Sequence, residues 1–183
     1  MKKTTILAAI CLSIGSFAAQ AQTVLVGTEA MYPTKDIVDN AVKSKSHTTL
    51  VAAVSAAGLV ETLKTAGPFT VFAPVNDAFE NLPAGTVETL LKPENKTTLT
   101  KVLTYHVVAG KFDFDAIAAA IKKGNGKASL KTVSGGTLEA MMNGSHNIVV
   151  KDENGNVANI TTYDVYQKNG VIHVLDSVVL PKM

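Results

Sequence analysis

The chain has 183 residues, 17 basic and 15 acidic, with one cysteine and no tryptophan, and every basic residue is a lysine. Without arginine there is no guanidinium fork for phosphates or guanine edges, and the lysines form no basic stripe, so nucleic-acid binding is not expected. One cysteine cannot build a disulfide framework within these residues.

Lys2-Lys3, the apolar run Ile6 to Ile14 and the small-x-small pattern Ala19-Gln20-Ala21 read as an export signal spanning residues 1–21, with cleavage expected after Ala21. The run is shorter than the about 20 apolar residues that cross a bilayer, so no stable membrane insertion is expected. Cys11 follows the bulky Ile10, whereas a lipoprotein signal needs a small residue there. Cleavage would leave 162 residues without cysteine and with 15 lysines against 15 acidic residues. That length supports one domain stabilised by burial and hydrogen bonding. Residues 22–31 are read as an N-terminal segment and 32–181 as the domain.

Thr34 or Asp36 opens a first helix with Ile37, Val38, Ala41 and Val42 on one side. A second begins near Ser46 with Leu50, Ala53, Val54 and Ala57 at helical spacing, is interrupted at Gly58, and continues through Leu59 and Leu63. Gly67-Pro68 ends it. Phe69 to Ala73 reads as a buried strand with Phe69, Val71 and Ala73 on one face and Phe72 on the other, closed by Pro74. Asn76 or Asp77 caps a following helix, Glu80 completing a capping box with Asp77. A short helix is expected over Thr86 to Leu91. A longer one runs from Pro93 to about Val108, and another from Ala116 to Lys123 behind Asp113 or Asp115.

From Lys127 the spacing changes to short extended runs: Leu130 to Ser134, Thr137 to Met142, Asn147 to Lys151, Val157 to Tyr166 and Val171 to Leu180. Gly135-Gly136, Asn143-Gly144, Asn154-Gly155 and Asn169-Gly170 punctuate them. Helices first and a meander second predict an α+β domain to which the strand at Phe69 must return.

Three blocks carry a family resemblance: Gly67 to Phe79, Leu103-Thr104-Tyr105-His106-Val107-Val108, and Asn169-Gly170-Val171-Ile172-His173-Val174-Leu175-Asp176. In this order and at domain-length spacing they resemble the signature blocks of fasciclin domains, extracellular adhesion modules. The resemblance covers Tyr32 to Pro181. It implies a β-sandwich wedge with helices packed at one side and end. It also implies an exported, non-enzymatic cell-adhesion or protein-interaction module, secreted or periplasmic, whose partner is a cell-surface protein or extracellular matrix component. No cofactor is expected. Phe72, Pro74, Tyr105, His106, Asn169, Gly170 and His173 are the family-motif residues, with structural roles.

The same resemblance places one contact site. An Asp-Ile pair at the position of Asp164-Val165 is associated with integrin binding in adhesive fasciclin domains; here valine stands for isoleucine, and Tyr163 and Tyr166 flank the pair. An exposed carboxylate beside apolar and tyrosine surface would suit a small protein-binding patch. The bland alternative is an ordinary strand end.

Other motifs carry less. No two histidines are spaced for zinc. Asp152-Glu153-Asn154-Gly155-Asn156 fails as a calcium loop, having Val157 where glycine and Tyr163 where glutamate are required. Gly144-Ser145-His146 lacks a third catalytic member. Asn95, Asn143 and Asn159 open Asn-x-Ser/Thr triplets. A second functional reading is a periplasmic small-ligand or polysaccharide-binding protein with an apolar cleft near Met141-Met142; a hydrolase with a dispersed site is the third.

Overall fold

The computed structural model describes residues 23–182; the export signal and its cleavage point lie outside them. Nine strands, seven α-helices and two short 3-10 helices, Lys45–His47 and Pro93–Asn95, follow one another in the described residues. Two short strands, β1 (Val24–Val26) and β2 (Glu29–Met31), pair as an antiparallel hairpin in the segment for which no element was expected. Their buried ends, Val26 and Met31, join the core formed by Val165 and Ile172.

Helix α1 (Ile37–Ala41) starts where local chemistry says it should: the Asp36 side chain accepts the Asp39 amide. Helix α2 (Thr48–Ala57) ends at Gly58, whose φ of 75° lets the chain turn into α3 (Val60–Lys64). Strand β3 (Phe69–Pro74) follows, then α4 (Asn76–Glu80) and α5 (Thr86–Leu90). The Asp77–Glu80 capping box does not form, and α4 has no side-chain cap. Asn76 works across the fold instead: its Oδ1 accepts the Thr49 amide at 3.1 Å and its Nδ2 donates to the Lys45 carbonyl at 2.8 Å, fastening the start of α2.

Helix α6 (Lys96–Tyr105) is shorter than expected. Val107–Ala109 leave the helix as strand β4, because pairing with β3 outweighs the continuing helical spacing of apolar residues. Asp113 caps α7 (Phe114–Lys123) by accepting the Ala116 amide. Strands β5 (Lys127–Lys131), β6 (Thr137–Asn143), β7 (Asn147–Lys151), β8 (Val157–Gln167) and β9 (Gly170–Leu175) complete the chain. The last strand stops at Leu175 rather than Leu180.

One seven-stranded sheet runs β4-β3-β9-β8-β7-β6-β5. Only β3 and β9 pair in parallel, Phe69 opposite Gly170 through Pro74 opposite Leu175. The sheet curls until its edge strands approach: Val108 bridges Thr132, and the Val133 amide donates to the Val107 carbonyl at 2.8 Å. Its two halves thus face each other across an interior of Phe72, Tyr105, Ile117, Leu138, Val150 and Leu175. The outer face of β3, β8 and β9 carries a second core, where Val71, Ala73, Val165 and Val174 meet α1, α2 and α6. This is the expected α+β wedge with helices on one side and end.

Candidate functional site

The three motif blocks meet around Phe72. Strand alternation turns this ring inward, and it is fully buried. Its amide donates to the His106 carbonyl at 2.9 Å, and its ring stacks on His173 with centroids 5.6 Å apart. Pro74 closes β3 opposite Leu175, after which the Val75 amide still reaches the Leu175 carbonyl.

His106 caps the end of α6 and is buried. Its Nδ1 lies 2.9 Å from the Val102 carbonyl and its Nε2 accepts the Val179 amide at 3.3 Å. Those partners require the proton on Nδ1. Burial holds the imidazole down to about 4, against the Val102 carbonyl and Asp152, which favour the charged form. The neighbouring Tyr105 hydroxyl donates to the Thr137 carbonyl at 2.7 Å and accepts the Glu153 amide at 3.2 Å. Burial pushes this phenol up to about 12.

His173 takes the opposite tautomer. Its Nε2 donates to the Phe112 carbonyl at 2.7 Å, leaving Nδ1 to accept the Asp164 amide at 3.4 Å. Burial lowers its pKa too. Asn169 forms a hub at the β8–β9 turn: Oδ1 accepts the Ile37 amide at 3.0 Å, while Nδ2 donates to the carbonyls of Leu63 and Thr65 at 2.8 and 3.0 Å. A Cβ on Gly170 would run into the Phe69 carbonyl, so this glycine serves a close backbone approach between β9 and β3.

The four residues singled out as a contact patch diverge. β8 bulges between Thr162 and Val165. Asp164 sits in the bulge with φ +56°, and its Oδ1 accepts the Phe114 amide at 2.8 Å. Val165 faces the second core under the helices and is only 1% exposed. The Tyr163 hydroxyl brackets Ile148, accepting its amide at 2.7 Å and donating to its carbonyl at 3.3 Å, while the ring meets Phe114 edge-on. Tyr166 is half-buried: its hydroxyl donates to Asp113 Oδ2 at 3.4 Å, and Lys111 Nζ stands 4.4 Å above its ring. Burial first, and the charges of Asp164 and Asp113 next, raise its pKa. The surface side of the patch is therefore Asp164 and Tyr166 with Lys111 and Asp113 beside them. The last two escaped sequence reading, because nothing local links them to β8.

Other candidate chemistry is structural. Asp152 is buried and receives the amides of Asn154, Asn156 and Leu180, which explains why this turn resembles a calcium loop. Among the described residues no group of three or more His, Cys, Asp or Glu is placed to hold a metal ion. Ser145 and His146 touch in an exposed turn, and Ser44 and His47 pair where a substrate has no access. Met142 packs against the interior core, so the apolar cleft expected near it is displaced to the far side of the sheet, under α1 to α3.

A curled sheet with three distant blocks locked around one buried aromatic–histidine stack defines a single α+β module. The chain belongs to the fasciclin domain family, whose model matches residues 45–181. It is 49% identical over 149 residues to Protein sll1483 of Synechocystis sp., covering 80% of this chain and 74% of that protein. It is 36% identical to transforming growth factor-beta-induced protein ig-h3 of Sus scrofa over 72% of this chain and 17% of the relative. The fold matches a FAS1 domain pair from the insect cell adhesion molecule Fasciclin I with a TM-score of 0.71 at 15% identity, covering 80% of this chain. The chain spans 51% of that domain pair, and the likeness is one of fold.

Proposed function

We propose that this protein is an exported, non-enzymatic adhesion or protein-interaction module that contacts a cell-surface protein or extracellular matrix component. The family match over residues 45–181 carries the reading, supported by the fold shared with a cell adhesion molecule. Export rests on the signal read from residues 1–21.

The contact is assigned to Asp164 and Tyr166. One carboxylate oxygen of Asp164 is engaged with Phe114, and Tyr166, two residues on, feels the Asp164 charge and presents a half-buried ring. Tyrosine next to a fixed charge is the composition of an interaction hot spot. Val165 and Tyr163 anchor the bulge from opposite sides of the sheet, each packed in a different core.

Beads coated with the protein are offered to cells of the source organism and to integrin-bearing cells. Saturable attachment that falls in Asp164→Asn and Tyr166→Ala is expected. Absence of attachment to either cell type overturns the adhesion reading. Attachment unchanged in both variants moves the contact elsewhere.

A further inference from the structure

The helices α1 and α2 pack on the sheet through Ile37, Leu50 and Ala53, but together with α3 they leave a gap beside these contacts. Beneath them, against β3 and β4, lies a cavity of about 210 Å³. Its floor is Val71 and Val107 of the sheet with Leu103 of α6, and its walls come from Ala41, Leu50 and Val54. Val42 and Val133, 56% and 50% exposed, stand at its rim.

The space is held open by polar anchors outside it. The Asn169 side chain pins the first amide of α1 and the last carbonyls around α3 to the β8–β9 turn. Lys64 on α3 reaches Asp39 on α1 at 2.8 Å. Gly58 fixes the corner between α2 and α3. These bonds tie the helices to the turn and to one another, while Ile37, Leu50 and Ala53 join Val71 and Leu103 in the core beside the cavity.

We infer that this cavity binds the hydrocarbon end, ring or chain, of an uncharged lipophilic molecule. Among the described residues, no charged one lines it. Inside it the polar groups are already used: both His106 nitrogens have backbone partners, and the Thr104 hydroxyl donates to the Thr100 carbonyl at 2.7 Å, while Ser55 and Thr62 are exposed residues of its edge. A polar ligand group entering here would lose its water without gaining a partner. Volume sets the size. An apolar cavity of roughly 150 Å³ accepts benzene, whereas whole drug-sized ligands need roughly 300 Å³ or more. The ligand therefore inserts one end and lays the rest across Val42 and Val133. A polysaccharide, bristling with hydroxyls, does not fit this lining.

The test titrates the purified protein with N-phenyl-1-naphthylamine, an uncharged dye that brightens in apolar surroundings. One saturable site per molecule is expected, weakened at least about tenfold when Val54→Trp or Ala41→Phe fills the space from opposite walls. Leu25→Ser, which removes an exposed side chain elsewhere, should leave the titration unchanged. Decanol should displace the dye about tenfold better than decanoate, whose charge has no counterpart inside. Should either filled variant fail to fold, methyl NMR shifts at Val71 and Leu103 on adding decanol to the unaltered protein decide the location. No saturable binding, binding indifferent to the folded filled variants, methyl shifts away from these residues, or equal displacement by decanoate overturns the inference.

Discussion

Asp164 Oδ1 lies 2.8 Å from the amide nitrogen of Phe114, so the carboxylate assigned to partner contact also ties the bulge of β8 to the first residue of α7. Two demands fall on one position: an acceptor for that amide and a backbone tolerant of φ +56°. Asparagine meets both and alanine neither. Asp164→Ala should cost about 1–2 kcal/mol in urea unfolding, and Asp164→Asn less than half of that. The asparagine variant removes the charge with least damage, so loss of attachment in it reports on contact rather than folding.

Asn169 should matter more. Asn169→Ala strands the Ile37 amide and the Leu63 and Thr65 carbonyls at once, with an expected loss of about 3 kcal/mol or more. Asn169→Asp keeps an acceptor for Ile37 but faces two carbonyls with a negative charge, and should be at least as damaging. Denaturant midpoints of the three proteins check the order. Equal midpoints for native and alanine proteins would remove the hub from the account of stability.

Acid should weaken the domain before its carboxylates titrate. His106, held down to about 4, is neutral in the folded protein at pH values where the unfolded chain, near 6.5, already takes up a proton. Stability is therefore complete above about pH 6.5 and falls as pH drops toward 4, by about 3 kcal/mol for this residue. His47 and His173, lowered by burial, act in the same direction. Glu153 is lowered by the Lys182 and Thr137 amides, and that contribution disappears only at still lower pH. Unfolding free energy measured from pH 7.5 to 4 should slope downward, with a shallower slope in His106→Gln.

The segment after β9 is clamped rather than free. The Leu180 amide donates to Asp152 and the Val179 amide to His106. Asp152→Ala should release Leu180 first, raising its amide exchange at least about tenfold while the β3 amides stay protected. Simultaneous loss of protection in both regions would mean that the clamp cannot open by itself.

Elements whose cause is local were legible in the sequence. Asp36 and Asp113 cap their own helices, and Gly58 ends α2 by its own backbone. Where the cause lies elsewhere in the chain, local reading went astray. Val107 and Val108 continue the apolar spacing of α6, and only β3 makes them a strand. Asn76 stands at the head of α4 yet satisfies α2. Asn169-Gly170 has the look of a hairpin turn, but Lys168 and Asn169 make the turn while Gly170 already pairs in β9. At the candidate site, the run Val157 to Tyr166 reads as an unbroken strand. Its bulge arises from Phe114, fifty residues away, and from His173 on the next strand. The three motif blocks meet around Phe72 in the fold, whereas nothing in the sequence placed Asp113 and Lys111 beside Tyr166.

The parallel pairing of β3 with β9 sets the timetable on which this chain can become a domain. Phe69 meets Gly170 inside the sheet, so β3 waits for a partner made about a hundred residues later. Until Leu175 is available, β3 has only the short β4 to pair with, and both cores lack a wall. Helices can form early, but the domain closes in one late step. A chain cut anywhere between these strands leaves two halves, neither holding a complete interior.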